Sequence, residues 1–287
     1  MTVVFSVIFP SNLIYFKSFI KSLECQIYKN FKLILINDGV INIDSYFIDV
    51  NLDYEAFFVK DLSPFEIRIL GMKLVSDLNP EFIIFADTDD TFSPNRVEAL
   101  VQGLKFHPFV CNDIDLMNDE GHLIKKSVWG NRLKDNFEFD IHFIKDKNII
   151  GLGNAGIQNK YLNKILNKIE GLKEGNDWLF FSAAEESLQA VFLKHCSTNY
   201  RQHNNNVLGK KAINMDDLVK LIEGRIKHYT LLKIIKFKCY DLRNEINLNH
   251  NLLQYVINEP IKIQEKLNKI NLLESNLFWW EEPNYIN

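Results

Sequence analysis

Three carboxylates within four residues are the feature of this sequence that most clearly points to chemistry. Asp87, Asp89 and Asp90 follow an unbroken apolar run, Phe82–Phe85, which is typical of a strand buried on both faces. Burying three acids without partners would be costly, but the carboxyl end of a parallel strand faces the crevice where open α/β sheets bind ligands. Because hard divalent cations take oxygen ligands, a cation there would turn the mutual repulsion into attraction. The alternative is an acidic, solvated turn.

Two more charged residues stand where they could reach the same crevice. Asp38 follows a second apolar run, Lys32–Ile36, and precedes a glycine. It is either a turn aspartate or a carboxylate that accepts hydrogen bonds from a uracil imide or a ribose. Arg68 lies on a helix predicted from a capping box at Ser63 to about Ser76, and it either points at the crevice or lies on the surface.

The later part of the chain contributes three further candidates. Asp177 precedes a helix predicted over Leu179–Leu193, and by itself it reads as an N-terminal cap worth about 1 kcal/mol. His203 lies in a polar run and is either part of a solvated loop or a neutral imidazole suited to Mn²⁺. The loop at 151–156, which includes Gly153 and Asn154, permits close backbone approach to a sugar or simply a tight turn. Its glycine spacing matches no dinucleotide fingerprint.

The elements that must position these residues alternate between strands and helices. Short joins between them indicate βαβ units, and therefore an α/β fold with a mostly parallel sheet flanked by helices. We expect residues 125–150 to form a connecting loop with short elements. The predicted strands cover residues 3–9, 32–36, 56–59, 82–86 and 109–116, and the predicted helices cover 13–27 and 63–76, begin at Pro94 and near Asn159, and cover 179–193.

From about residue 211 the sequence pattern changes to long amphipathic stretches rich in lysine, isoleucine and leucine. Two long amphipathic helices are predicted at 216–242 and 250–273, so we expect a catalytic domain over 1–210 and a helical region over 211–287. The run Leu231–Lys238 alternates apolar pairs with lysines, and Trp279 and Trp280 stand near the end. This pattern fits helices packed on the domain or on a second subunit, which we favour because nearby acids dilute the positive charge, or peripheral contact with an anionic membrane.

Composition excludes several classes of protein. The chain has 287 residues, 47% of them hydrophobic, and a formal net charge of −4, so no basic field points to nucleic acid. Its four cysteines form no CxxC pair, which favours reduced thiols in a cytoplasmic protein. We expect neither a signal peptide nor a membrane-spanning helix.

Taken in order across roughly residues 4–209, the motifs resemble family 2 of the GT-A glycosyltransferases, a large inverting family. Asn37 replaces the first acid of the family's Asp-Asp-Gly, and Asn176 replaces the glutamate of its Glu-Asp. The late Tyr-Arg-x-His loop is the most specific match. The matching segments are Ser6–Pro10, Ile36–Gly39, Arg68–Gly71, Asp87–Asp90 (an Asp-x-Asp motif), Asp115–Gly121, Asn176-Asp177, and Tyr200–His203 with Asn206 and Gly209.

The resemblance implies an inverting, metal-dependent transfer of a hexosyl or N-acetylhexosaminyl unit, most simply from a UDP-sugar. The acceptor would be a saccharide or a lipid-linked saccharide, in the synthesis of a surface polysaccharide or glycoconjugate. Asp177 would be the general base, Asp38 would contact the nucleotide base, and Arg68 with Asp87 would contact the ribose or diphosphate. Asp89 and His203, beside Asp87, would hold Mn²⁺ or Mg²⁺. The nucleotide-sugar site would comprise Pro10, Asn12, Asp38, Arg68, Asp87, Thr88, Asp89, Asp90, Gly153 and Asn154.

Two other functions fit parts of the pattern. Asp87, Asp89 and Thr91 also satisfy the Asp-x-Asp-x-Thr of haloacid-dehalogenase phosphatases, with Asp87 as the nucleophile. That family usually carries the motif on its first strand, whereas at least two strands precede it here, and we find no convincing later lysine or paired acid. A non-catalytic protein of the same fold that binds nucleotides or glycans is the third possibility.

Overall fold

The computed structural model describes residues 1–203, 214–272 and 286. Asn206, Gly209, Trp279 and Trp280, to which the sequence drew attention, lie outside the described residues. Within the described part, the strands are β1 Thr2–Ile8, β2 Phe31–Asp38, β3 Tyr54–Val59, β4 Phe82–Phe85, β5 Thr91–Phe92, β6 Phe109–Met117, β7 Leu123–Lys125, β8 Phe137–Asp140, β9 Ala155–Gln158 and β10 Gln189–Arg201. The helices are α1 Leu13–Glu24, α2 Pro64–Asp77, α3 Arg96–Leu104, α4 Asn159–Lys168, α5 Asp177–Ser182, α6 Met215–Ile234, α7 Leu242–Asn258 and α8 Pro260–Leu272.

One curled sheet organises the chain, with strand order β3-β2-β1-β4-β9-β6-β10-β5. Strands β1 to β4 are mutually parallel, and β6 is parallel to β10. Strand β9 lies between β4 and β6 and is antiparallel to both. The short strands β5 and β8 pair antiparallel with β10, and β7 pairs antiparallel with β6. The mixed α/β architecture predicted from the sequence is therefore confirmed.

Apolar side chains cover both faces of the sheet. Alternate residues of β1 belong to different core clusters: Val3 and Phe5 face one side, and Val4 and Ile8 face the other. Helices α1 and α3 pack on the Val4 side, while α2, α4 and α5 pack on the Val3 side. This two-sided burial explains why the strand sequences are continuous apolar runs rather than alternating ones.

Helix α2 is fixed at both its start and its middle. Ser63 and Glu66 form the predicted capping box, in which the Ser63 hydroxyl accepts a hydrogen bond from the Glu66 backbone. Gly71 faces the sheet so closely that an added Cβ would lie 2.5 Å from Ile36 Cγ1 and 2.7 Å from Phe5 Cε2. The absence of a side chain at Gly71 therefore lets α2 approach the sheet, which places Arg68, three residues earlier, at the strand ends.

The predicted helix over 179–193 is wrong in its second half. Helix α5 ends at Ser182, and Gln189 begins the 13-residue strand β10. Nine residues of β10 pair in parallel with β6, so tertiary pairing overrides the local helical pattern. Strands β8 and β9 were also not predicted, and Ile27, expected on the apolar face of α1, lies beyond that helix and is exposed.

Residues 214–272, the described stretch of the C-terminal region, form three helices where two were predicted. Helix α6 ends at Ile234. Helix α7 ends at Asn258, and one residue later Pro260 begins α8. Tyr229, Leu231 and Leu232 of α6 join the same apolar cluster as the sheet, and the remaining apolar face of α6 packs against α7 and α8. In the described ranges, no helix combines the length and the apolarity that crossing a membrane requires.

Candidate functional site

A cleft of about 700 Å³ opens at the carboxyl ends of β1 and β4. Its walls come from the loop after each of these strands, the start of α2, the loop before β9, the start of α5, the end of β10 and one face of α6. Nine of the residues predicted for the site line it: Asn12, Arg68, Asp87, Thr88, Asp89, Gly153, Asn154, Asp177 and His203. The cleft has the size of a pocket for a small organic ligand.

Pro10, Asp38 and Asp90 are not among the described residues that line this cleft. Pro10 is exposed at the start of a short 3₁₀ turn after β1. Asp38 is the partly buried last residue of β2, at the same edge of the sheet. The preceding Asn37 closes the turn, because its side chain accepts a hydrogen bond from Val40 N at 2.7 Å and donates one to Val40 O at 2.9 Å. Asn37 therefore has a structural role in this turn.

Asp87 faces a cation across the cleft. Arg68 Nη2 lies 3.7 Å from Asp87 Oδ1, and both side chains are about one-third exposed. Burial raises the pKa of Asp87 to about 7, against the opposing effect of the Arg68 guanidinium, and the negative charges of Asp89 and Asp177 add to the rise. The sequence left open whether Arg68 points at the crevice or lies on the surface. In the structure it lines the cleft.

Asp89 contacts the histidine that the sequence singled out. His203 Nε2 lies 3.1 Å from Asp89 Oδ2 although 114 positions separate the two residues in the chain. The His203 side chain is 12% exposed and that of Asp89 is 22% exposed. The imidazole stacks on the ring of Tyr15, with the ring centroids 5.5 Å apart and an interplanar angle of 22°. The solvated-loop alternative for His203 therefore does not describe its position.

Asp90 anchors the acidic loop, residues 87–90 after β4, through a buried hydrogen bond. Its Oδ1 accepts a hydrogen bond from Arg201 N at 2.9 Å, and its Oδ2 has no hydrogen-bond partner among the described residues. Burial, reinforced by the neighbouring carboxylates, raises its pKa well above the ordinary range. Arg201 is buried as well, and it donates from Nε to Asp89 O at 2.8 Å and from Nη1 to Asp119 O at 2.7 Å. Arg201 thus holds the backbone of the loop that carries the acids.

A second buried arginine, which the sequence did not indicate, braces the site. Arg96 is fully buried at the start of α3 and donates to Asn112 Oδ1 at 2.8 Å, to Phe85 O at 2.8 Å and to Gly153 O at 3.2 Å. It therefore joins the end of β4 to the loop before β9. Burial lowers its pKa to about 10. An arginine in the first turn of a surface-like helix gives no local signal of this role.

The loop before β9 lies close to the carboxylates of Asp87 and Asp90. A Cβ on Gly153 would lie 2.9 Å from Asp87 Oδ2 and 3.4 Å from Asp90 Oδ2. Asn154 is buried and holds the loop together, because it donates to Asn112 O at 2.9 Å and accepts from Gly151 N at 2.8 Å. The small residues of this loop thus permit a close backbone approach, as the sequence suggested, and the atoms approached are the carboxylates.

Asp177 lines the cleft, but it does not cap α5. The cap is Asn176, whose Oδ1 accepts a hydrogen bond from Leu179 N at 2.8 Å, so the cap interpretation of Asp177 is wrong. Asp177 is the first residue of the helix, and its Oδ2 accepts from Leu152 N at 3.0 Å. Its Oδ1 has no hydrogen-bond partner in the described part of the chain. That oxygen therefore remains able to accept a proton.

Glu174 and Glu185, the other acids near α5, are both paired. Glu174 lies at the cleft and forms a 2.5 Å ion pair with Lys227 of α6. Glu185 pairs with Lys168 and is not among the described residues lining the cleft. Of these three acids, Asp177 is the one that lines the cleft and forms no ion pair with a described residue.

Helix α6 supplies a wall that the sequence did not predict. Gly224, Lys227, His228 and Leu231 line the cleft from this helix. Lysine, isoleucine and leucine dominate the sequence around them, so the helical pattern is visible, but nothing local shows which face meets the cleft.

A divalent cation is compatible with the acidic end of the cleft. Across residues 1–203, 214–272 and 286, no three His, Cys, Asp or Glu side chains converge as metal ligands. Mg²⁺-type sites, however, commonly use one or two protein ligands and complete their shell with substrate phosphates and water. The Asp89–His203 pair, with the Asp87 carboxylate nearby, offers such a partial set of oxygen and nitrogen ligands.

Comparison with known proteins shows the fold. No protein-family model and no curated protein sequence matches the chain. S. aureus TarS 1-349 in complex with UDP-GlcNAc is similar, with a TM-score of 0.56 and 15% identity, covering 99% of this chain and 78% of that one. GalNAc-T7 with UDP, GalNAc and Mn²⁺ gives a TM-score of 0.60 and 11% identity, covering 96% of this chain and 56% of that one. The chain has a GT-A glycosyltransferase fold. In this chain the cleft lies at the carboxyl end of β4, where Asp87 and Asp89 of the Asp-x-Asp motif follow the strand.

Proposed function

We propose that this protein is a nucleotide-sugar-dependent glycosyltransferase of the inverting family 2. It transfers a hexosyl or N-acetylhexosaminyl unit from a UDP-sugar to a hydroxyl group of a saccharide or lipid-linked saccharide. One observation carries the proposal: a single cleft of a GT-A fold holds both the Asp89–His203 pair and a separate carboxylate, Asp177. One oxygen of Asp177 has no hydrogen-bond partner among the described residues.

The acidic end of the cleft is the proposed donor site. UDP as the nucleotide is supported by the TarS complexes with UDP-GlcNAc and with UDP, and by GalNAc-T7 with UDP and Mn²⁺. Asp89 and His203, beside Asp87, would hold Mn²⁺ or Mg²⁺, which when bound acts as a Lewis acid toward the pyrophosphate. Arg68 adds a positive charge on the α2 side for the ribose or diphosphate.

Further donor contacts follow the edge of the sheet. Asn12 donates to Thr88 Oγ1 at 3.2 Å, and Thr88 donates to Val7 O at 3.0 Å, so these two polar residues fix the cleft floor between the ends of β1 and β4. Asp38 and Pro10 lie along the same edge, outside the cleft lining, and we assign the nucleotide base to the Asp38 end. Asp90 then supports the acidic loop rather than contacting the donor.

Asp177 is the proposed general base. The Leu152 N–H holds one carboxylate oxygen, so the other can take the proton from an acceptor hydroxyl as that hydroxyl attacks the anomeric carbon. The nucleoside diphosphate leaves from the opposite face. One displacement inverts the configuration and requires a single base, in contrast to the two-step retaining mechanism.

The remaining assignments concern organisation and location. We propose a catalytic domain over residues 1–210 and a helical region over 211–287 that completes the cleft. A cytoplasmic enzyme of polysaccharide or glycoconjugate synthesis, with peripheral membrane or homodimer contacts through the C-terminal helices, is consistent with a UDP-sugar donor.

The deciding experiment measures UDP release from a panel of UDP-hexoses and UDP-N-acetylhexosamines in the presence of Mn²⁺. A glycosyltransferase releases UDP from at least one donor and loses this activity in excess chelator. Release of inorganic phosphate from a simple phosphomonoester, lost in Asp87→Asn and without UDP formation, would identify a dehalogenase-type phosphatase instead. UDP binding with no turnover of any donor would identify a non-catalytic binding protein.

A further inference from the structure

The wall formed by α6 meets the cleft next to the proposed base. Helix α6 packs against α5, the short helix that begins at Asp177. The contact centres on two stacked rings: His228 of α6 lies on Trp178, the residue after Asp177, with ring centroids 3.7 Å apart and an interplanar angle of 5°. The acids and His203, in contrast, come from the ends of β4 and β10. The α6 wall therefore borders the base end of the cleft.

His228 is the one ring of this stack with unmet hydrogen bonds. Trp178 Nε1 donates to Ile144 O at 2.7 Å, and the neighbouring Tyr229 hydroxyl donates to Lys145 O at 2.9 Å. His228 is 1% exposed, and neither of its ring nitrogens has a hydrogen-bond partner among the described residues. Leaving a buried polar group unpaired destabilises a protein, so an unpaired imidazole at a ligand cleft indicates a partner that arrives with the ligand.

The chemistry of this imidazole selects the class of ligand. Burial, with a smaller contribution from the Arg225 charge, lowers the pKa of His228 well below its ordinary value, so the ring is neutral at pH 7. A neutral imidazole has one donor nitrogen and one acceptor nitrogen, which matches a hydroxyl group that can accept and donate. At the mouth, Lys227 is neutralised by its ion pair with Glu174. The surroundings thus favour an uncharged polyol over an anion.

We propose that His228 and the adjoining Gly224 form an acceptor subsite, in which the imidazole hydrogen-bonds a hydroxyl of an uncharged hexoside and so presents a neighbouring hydroxyl to Asp177. Gly224 lies about one helical turn before His228 and lines the cleft without a side chain. This subsite rests on the proposed glycosyltransferase function. His228 is a binding and positioning residue for the acceptor, and it does not contact the donor diphosphate.

The test follows His228 itself by NMR. Protein labelled with ¹³C-histidine is saturated with UDP and Mg²⁺, and the His228 ring signals are assigned by their loss in His228→Phe. Methyl glycosides of glucose, galactose and N-acetylglucosamine are then titrated in separately. We expect at least one glycoside to shift the His228 signals. His228→Phe, which keeps a stacked ring but has no nitrogen, should weaken binding of that glycoside roughly tenfold while changing UDP affinity less than twofold.

The controls separate the possible failures. Tyr229→Phe alters the adjacent residue on α6 without touching the cleft, so it should bind glycoside as the wild type does. The melting temperature of His228→Phe should equal or exceed that of the wild type, because a buried polar group without a partner is removed. No glycoside-induced shift in the UDP-bound protein, or unchanged glycoside binding by His228→Phe, overturns the subsite while leaving the glycosyltransferase proposal standing. Absence of UDP binding would instead defeat the glycosyltransferase proposal.

Discussion

The ring of Tyr15 on α1 lies against the imidazole of His203, with centroids 5.5 Å apart and planes inclined by 22°. The Arg201 guanidinium also contacts Tyr15, at 4.6 Å from the ring centroid, and the Tyr15 hydroxyl donates to Asp119. Tyr15 therefore joins α1, the β6–β7 turn and the end of β10 beside the Asp89–His203 pair. Its ring limits the orientations that His203 can adopt.

Replacing Tyr15 should weaken cation binding by this indirect route. An aromatic pair contributes about 0.5–1.5 kcal/mol, so Tyr15→Ala should lower Mn²⁺ affinity in the presence of UDP by roughly 2–10-fold. Tyr15→Phe keeps the ring and loses the bond to Asp119, and it should bind Mn²⁺ nearly as the wild type does. Electron paramagnetic resonance of free Mn²⁺ measures both. Wild-type affinity in Tyr15→Ala would show that the stack does not position His203.

Removal of a proposed metal ligand should act on the cation and on UDP together. Asp89→Ala should abolish cation-dependent UDP binding and sugar transfer, because its Oδ2 lies 3.1 Å from the other proposed ligand, His203 Nε2. Isothermal titration calorimetry of UDP with and without Mn²⁺ reports the coupling. Thr91→Ala is a matched control outside the proposed ligand set. If Asp89→Ala keeps the gain in UDP affinity that Mn²⁺ gives the wild type, Asp89 is not a ligand of the cation.

Asp177→Asn should separate catalysis from stability. Asn176, not Asp177, caps α5, so the substitution removes a base without removing the cap. The asparagine oxygen can still accept the Leu152 N–H. Loss of a general base costs about 10²–10⁴-fold in rate, so turnover should collapse while the melting temperature and UDP affinity stay near wild type. Turnover within a few-fold of wild type would transfer the role to another acid, with Glu174 the first to test.

Two glycine-to-alanine changes should affect different properties: Gly153→Ala should lower activity, and Gly71→Ala should lower stability. In Gly153→Ala the new methyl group would lie 2.9 Å from Asp87 Oδ2, so the loop or the carboxylate must shift, and transfer should fall at least tenfold with little loss of stability. In Gly71→Ala the methyl group would meet the sheet core at 2.5 Å, so the free energy of unfolding should fall by about 1–3 kcal/mol. Urea unfolding and a UDP-release assay on both variants distinguish the two effects.

Arg96→Met should destabilise the whole protein. Phe85 O and Asn112 Oδ1 would each lose a charge-assisted bond, and the Asp87 carboxylate would lose a stabilising positive charge. We expect a loss of about 3 kcal/mol or more in the free energy of unfolding. Urea denaturation measures it. A change below about 1 kcal/mol would mean that water replaces the guanidinium without cost.

Features that depend on local sequence patterns could be predicted, and features that depend on tertiary contacts could not. Strand β4 with its acids, the capping box at Ser63 and the parallel βαβ core depend on local patterns, and all three were predictable. The local pattern of residues 189–193 predicts a helix, whereas pairing with β6 makes these residues the start of strand β10. The roles of Arg96 and His228 depend on which buried surfaces meet them, and no local pattern encodes that. The cap at α5 was misplaced by one residue, since Asn176 and Asp177 are both competent caps.

The reversed direction of β9 has a consequence for how this cleft can diversify. A strand that runs against its neighbours enters the sheet at the edge where they leave it, so the segment preceding β9 arrives beside the segments following β4 and β6. Insertions or deletions at residues 146–148, between the buried Ile144 and Ile149, would therefore remodel one wall of the cleft without changing any strand register. Under the proposed function, exchanging this segment alone is a way to alter donor or acceptor preference while the sheet stays unchanged.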